Sequence, residues 1–235
     1  MNRVLSVLRT SSCLLMGLAS FLAPAAPVSQ QGTWETTLRA RNSNGVEVPL
    51  QAASAVYFYD TVLDLTWLGN AGAFAGTWDQ SVAWANALSV FGVTGWRLPT
   101  LINVADSCQF DPVIDGSELR HMFFSTLGNG KSCSFSAPAL TNTGPFVGLQ
   151  VGFYWSGIEN PNFATDALDF LTAFGQGSSH NKSDNVMYAW AVRDGDVLRP
   201  IPEPATLMLI AIAGFGLAAT RMRSQAGKSV RTVPD

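Results

Sequence analysis

Along residues 34–193, apolar and polar positions switch in short runs, and these runs predict a strand-rich domain carrying two helices. Trp34, Thr36 and Leu38 alternate with mostly polar neighbours, which predicts a strand over 34–41. Asn42-Ser43-Asn44-Gly45 supplies a turn, from which 46–50 pairs back as a short hairpin. Two further strands, 55–59 and 63–68, flank a corner at Asp60, and the small residues of 69–76 read as a loop. Thr77-Trp78-Asp79-Gln80 has the form of a capping box, and Trp78, Val82, Ala85 and Leu88 recur behind it at helical spacing. A second helix is predicted from Ser117-Glu118, with Leu119, Met122, Phe123 and Leu127 on one face and Gly128 as its cap. Strands follow over 148–155, 168–174 and 186–193, the last with Val186, Tyr188, Trp190 and Val192 alternating against Met187, Ala189, Ala191 and Arg193. Helices in the first half and strands mainly in the second predict an α+β domain with an antiparallel sheet.

The two ends of the chain have a different pattern. Residues 205–220 carry no charge, and Arg221 and Arg223, then Lys228 and Arg231, flank them. As a helix this run reaches about 24 Å, short of the ~30 Å hydrocarbon core, so snorkelling arginines would have to hold it in a bilayer. Pro202 and Pro204 fit poorly inside a helix and mark where soluble chain gives way to that segment. Pro202-Glu203-Pro204, an apolar helix and an Arg-rich end resemble the PEP-CTERM sorting signal of Gram-negative bacteria. The resemblance implies that an exosortase, a membrane cysteine protease or transpeptidase, reads the tripeptide and removes the tail during export. The segment after Arg223 is longer than is usual in that family.

At the N-terminus, Arg3 and Arg9 precede a short apolar core over 13–22 and an A-x-A word, Ala23-Pro24-Ala25, as in a secretory signal peptide cut after Ala25. Cys13 stands at the start of that core rather than after it, so it is expected to leave with the peptide. The expected plan is a signal peptide over 1–25, a strand segment over 26–54, a domain over 55–198, a linker over 199–204, a membrane-spanning sorting helix over 205–220 and a basic cytoplasmic tail over 221–235. Signal peptidase, exosortase and the inner membrane (through 205–220) are the expected partners. The chain is expected to be anchored transiently and then placed at the cell surface or in the extracellular matrix.

Trimming both ends changes the charge from the −3 of the whole chain. Of fourteen Lys and Arg, Arg3, Arg9, Arg221, Arg223, Lys228 and Arg231 lie in the ends, leaving eight; of seventeen Asp and Glu, only Glu203 and Asp235 do, leaving fifteen. The exported part is therefore near −7, and nucleic-acid binding is a poor expectation. Cys108 and Cys133 remain, and an even pair in an oxidising compartment reads as one disulfide.

Candidate chemistry is sparse. His121 falls on the second predicted helix and His180 in a polar loop, neither with another His or Cys at ligand spacing, so no zinc site is expected. No G-x-S-x-G, Walker or Rossmann pattern occurs. Asp111, Asp115 and Glu118 cluster loosely, as do Asp194 and Asp196, but no calcium loop of the D-x-D-x-D-G type is present, and no metal or cofactor is expected. Trp78, Trp84, Trp96, Trp155 and Trp190 are expected in the core, and Arg97 as a structural partner for a carboxylate.

Tyr59-Asp60, Asp64-Leu65-Thr66-Trp67, Trp84-Ala85, Gly95-Trp96-Arg97-Leu98-Pro99-Thr100, Tyr154-Trp155-Ser156-Gly157 and Ala189-Trp190-Ala191-Val192-Arg193 are landmarks that follow in that order over about 55–195. Together they resemble the domain that ends the collagen-like adhesin Lcl. The resemblance implies a C-type-lectin-like fold, with two main helices around an antiparallel sheet. Formylglycine-generating enzymes share that fold and an R-L-P-T word, but they use a cysteine pair late in the domain, and here nothing cysteine-based follows Cys133. The expectation is therefore a non-enzymatic exported surface or matrix protein. The sorting resemblance implies a link to exopolysaccharide or biofilm matrix. A carbohydrate-binding adhesin, with polysaccharide as partner, and an enzyme of unknown activity remain as alternatives.

Overall fold

In the computed structural model, residues 32–104 and 116–198 are described. Ala25, Cys108, Asp111, Asp115, Pro202, Glu203, Pro204, Arg221, Arg223 and the expected spanning segment 205–220 all lie outside them. Among the described residues no helix is long and apolar enough to cross a membrane.

The chain runs α1 (Trp34–Thr37), β1 (Leu38–Asn42), β2 (Glu47–Val48), β3 (Ala55–Asp60), β4 (Leu65–Leu68), β5 (Phe74–Gly76), α2 (Trp78–Ala87) and α3 (Glu118–Arg120). A π-helical turn, His121–Thr126, continues α3, and β6 (Phe153–Glu159), β7 (Asp166–Leu171), β8 (Gln176–Asn181), β9 (Met187–Ala189) and β10 (Val192–Asp194) follow. One antiparallel sheet has the order β10-β4-β3-β1-β2; the other has the order β5-β9-β6-β7-β8. The second sheet is antiparallel except where β6 and β9 pair in parallel at Tyr154 and Tyr188. The architecture is α+β and rich in sheet.

Local chemistry explains most elements. On α2, Gln80 N–H donates to the Thr77 hydroxyl at 3.5 Å and the Gln80 side chain accepts from Thr77 N–H at 3.1 Å, so the capping box forms. Leu119, Met122, Phe123 and Leu127 are all buried on the face predicted for them, and Gly128 adopts the left-handed φ of +69° past the helix end. The turn there is wider than an α-turn, because Leu127 N–H donates to the Met122 carbonyl at 2.8 Å.

Four predicted strands differ from those observed. Residues 34–37 form a helical turn rather than the start of a strand. The Thr33 carbonyl accepts the N–H groups of Thr36 and Thr37 and both of their hydroxyls, which closes the turn and buries Trp34. The strands expected over 148–155 and 168–174 lie at Phe153–Glu159 and Asp166–Leu171. The run 186–193 is not one strand. It breaks at Trp190-Ala191, with β9 in one sheet and β10 in the other. Because that segment crosses between sheets it is covered on both faces: Met187, Ala189, Trp190, Ala191 and Val192 are all buried while Val186 is 71 % exposed, so alternation fails.

Two strands lacked any apolar signature. β5 belongs to a stretch of small residues and is held by its pairing with β9, Phe74 opposite Ala189. β8, read as a polar loop, is an edge strand of polar residues paired with β7 from Asp166–Asn181 to Leu171–Gln176. The core joins the sheets through Trp67 and Trp190, whose rings lie 4.6 Å apart, and Phe146 packs edge-on against Trp190 at 4.7 Å.

Candidate functional site

The R-L-P-T word sits where three segments meet. Gly95, at φ +81°, turns the chain so that Trp96 goes inward, stacks 5.8 Å from Tyr57 and donates its N–H to the Val93 carbonyl. Arg97 then pairs its backbone with Val192, N–H to carbonyl in both directions at 2.8 Å. Its guanidinium donates to both oxygens of Glu118, at 2.8 and 2.7 Å, and to Asp194 Oδ1 at 2.6 Å. Glu118 Oε2 also accepts Thr100 N–H at 2.8 Å, and the Thr100 hydroxyl accepts Glu118 N–H. The Arg97 pKa is raised above its ordinary value, first by the bond to Glu118 and then by that to Asp194, against an opposing desolvation effect. Its donors are spent on protein acceptors, so Arg97 is a clasp between α3 and β10.

The other acidic pair has a similar fate. Asp196 accepts from Arg41 Nε at 3.1 Å and Nη2 at 2.7 Å, while Arg41 Nη1 donates to Glu47. Of the two loose acidic clusters, Glu118, Asp194 and Asp196 are thus paired with arginines. Among the described residues no three His, Cys, Asp or Glu side chains converge as a metal site.

His180 is where the structure corrects the sequence reading most. It lies on β8, not in a loop, and its Nδ1 is 2.7 Å from Asp169 Oδ2. The Ser178 hydroxyl donates to the other oxygen of the same carboxylate, and Phe153 packs against the imidazole at 5.0 Å. The Asp169 side chain is fully buried. Burial raises its pKa above the usual carboxylate value, while the bonds from Ser178 and His180 pull it back down. Chemically, serine and histidine both serve the carboxylate. The hydroxyl is directed to Asp169 rather than to the imidazole, unlike a nucleophile activated by its base. His121 is half-buried on the π-helical turn, and its Nε2 meets no hydrogen-bond partner among the described residues. Cys133 is exposed in the loop after that turn.

Six tryptophans are buried. Those at 78, 96, 155 and 190 each donate the indole N–H to a backbone carbonyl, of Ser156, Val93, Gly76 and Leu68 respectively. Trp84 is the exception, half-buried and stacked on Phe74 with ring centres 5.1 Å apart and planes 9° from parallel. It forms one wall of a cleft of about 540 Å³ whose floor is Phe58 and Leu68. Sequence reasoning placed Trp84 in the core. The available signal was its position one turn from Leu88, on the helix flank beside the Trp78–Val82–Ala85 stripe.

The decisive comparison concerns the C-terminus, where residues 200–224 match the PEP-CTERM protein-sorting motif. The chain carries an exosortase sorting signal. The match contains Pro202, Glu203 and Pro204, the apolar run 205–220, and Arg221 and Arg223. A PEP-CTERM signal implies export with transient membrane anchoring, processing by exosortase, and placement at the cell surface or outside the cell. No curated protein matches the chain.

Proposed function

We propose that this PEP-CTERM protein is a non-enzymatic component of the cell surface or extracellular matrix, associated with exopolysaccharide, whose α+β domain is the delivered part. The sorting motif over 200–224 is the observation that carries this reading. Signal peptidase cuts after Ala25, exosortase acts at Pro202-Glu203-Pro204, and 205–220 holds the intermediate in the inner membrane with Arg221 and Arg223 on the cytoplasmic side. The domain division proposed from sequence and the Cys108–Cys133 bridge belong to the same reading. The C-type-lectin-like fold belongs to the same reading, supported by the long connection between β5 and β6 that carries α2 and α3. The burial of six tryptophans supports a structural rather than a sugar-stacking role for them. A matched pair of strains with and without exosortase tests the reading. The domain should be recovered outside the inner membrane only when exosortase is present; equal release from both strains would overturn it.

A further inference from the structure

The cleft beside Trp84 has no part in sorting, and it is large enough to hold a ligand. Its volume of about 540 Å³ falls in the range of ~300–1,000 Å³ found for small-molecule sites. Phe58 of β3 and Leu68 at the end of β4 form its floor, Trp84 and Leu88 form one wall, and Val147, 63 % exposed, forms the lip. Among the described residues no charged side chain lines it, although the exported part of the chain is near −7. Gln51 and Asn70 are its polar side chains, and Asn70 Oδ1 already accepts Gly72 N–H at 3.0 Å. The Trp84 indole N–H meets no acceptor among the described residues, unlike those of Trp78, Trp96, Trp155 and Trp190.

These features select the ligand class. A sugar ring would bring several hydroxyls into a cleft with two amides to receive them, and each hydroxyl left without a partner would oppose binding. An anionic head group would meet the field of an acidic domain. An aliphatic chain finds apolar walls throughout, and one hydroxyl or ester oxygen on it could accept the Trp84 N–H.

We propose that the cleft between α2 and the ends of β3 and β4 binds a neutral amphiphile, taking its aliphatic chain against Phe58, Leu68 and Trp84. This site is independent of the sorting reading, since it rests only on the folded domain.

The test uses the chain purified from cells, the neutral fluorescent probe N-phenylnaphthylamine, and displacement by decanol, decanoate and maltotetraose. Ala73 and Val147 are both exposed at the cleft, so Ala73→Asp and Val147→Asp place a charge there without disturbing the core. Thermal melts confirm that each variant folds. Decanol is expected to displace the probe more strongly than decanoate, and each aspartate to weaken decanol binding about tenfold or more. Trp84→Phe, which keeps a ring against Phe74 but removes the indole N–H, is expected to weaken decanol binding. Decanol binding that both folded aspartate variants retain at full strength would overturn the proposal. Displacement by maltotetraose but not decanol would also overturn it, and would assign the cleft to a glycan.

Discussion

Arg97 grips Glu118 through two parallel hydrogen bonds, Nη1 to Oε2 at 2.8 Å and Nη2 to Oε1 at 2.7 Å. The same guanidinium reaches Asp194, so a single side chain ties the R-L-P-T segment to α3 and to β10. A fork with two carboxylates needs the planar geometry of arginine. Arg97→Lys should therefore lower unfolding free energy by about 2–3 kcal/mol. Glu118→Gln should have a similar effect, because its amide would turn donors toward Arg97 and loosen Thr100 as well. Urea denaturation of the two variants measures both effects; wild-type stability in either would remove the clasp from the account.

Asp169 predicts a pH dependence of the opposite sign to that of most paired carboxylates. Its pKa is raised in the folded state, chiefly by burial, so the native chain holds a proton that the unfolded chain gives up. The contribution of this group to stability therefore falls as pH rises from about 3.9, the unfolded value, through the raised folded one. Asp169→Asn cannot ionise. The difference in melting temperature between Asp169→Asn and wild type should move in favour of the variant across that window and then level off. A difference independent of pH would contradict the assignment.

The expected bridge between Cys108 and Cys133 should appear as a linked pair in non-reducing peptide maps of the exported chain. Closing a loop of that length stabilises by about 3.5 kcal/mol in the chain-entropy account, so reduction should lower the melting temperature by several degrees. Free thiols at both positions would eliminate the bridge.

What could be read in advance followed local chemistry. Thr77 and Gln80 announce the start of α2 because a capping box is a contact between near neighbours, and Leu119, Met122, Phe123 and Leu127 share a face because helical spacing is local. β8 was illegible because its polar residues are held by a ladder to β7 and by Ser178 and His180 reaching a buried Asp169. Such partners come from elsewhere in the chain, and no periodicity records them. The 186–193 run misled for a related reason. Alternation predicts a strand with one covered face, whereas this segment passes from one sheet to the other and is covered on both. Among the candidate residues, Arg97 was legible as a carboxylate partner, while the cleft at Trp84 required the fold to bring α2 against the ends of β3 and β4.

The central claim is that the chain is delivered by exosortase through Pro202-Glu203-Pro204, and the C-terminal mass of the mature protein tests it most directly. In cells that possess an exosortase, intact-mass and C-terminal peptide spectra should show chains ending near the motif and lacking 205–235. A population dominated by chains still ending at Asp235 would contradict the account.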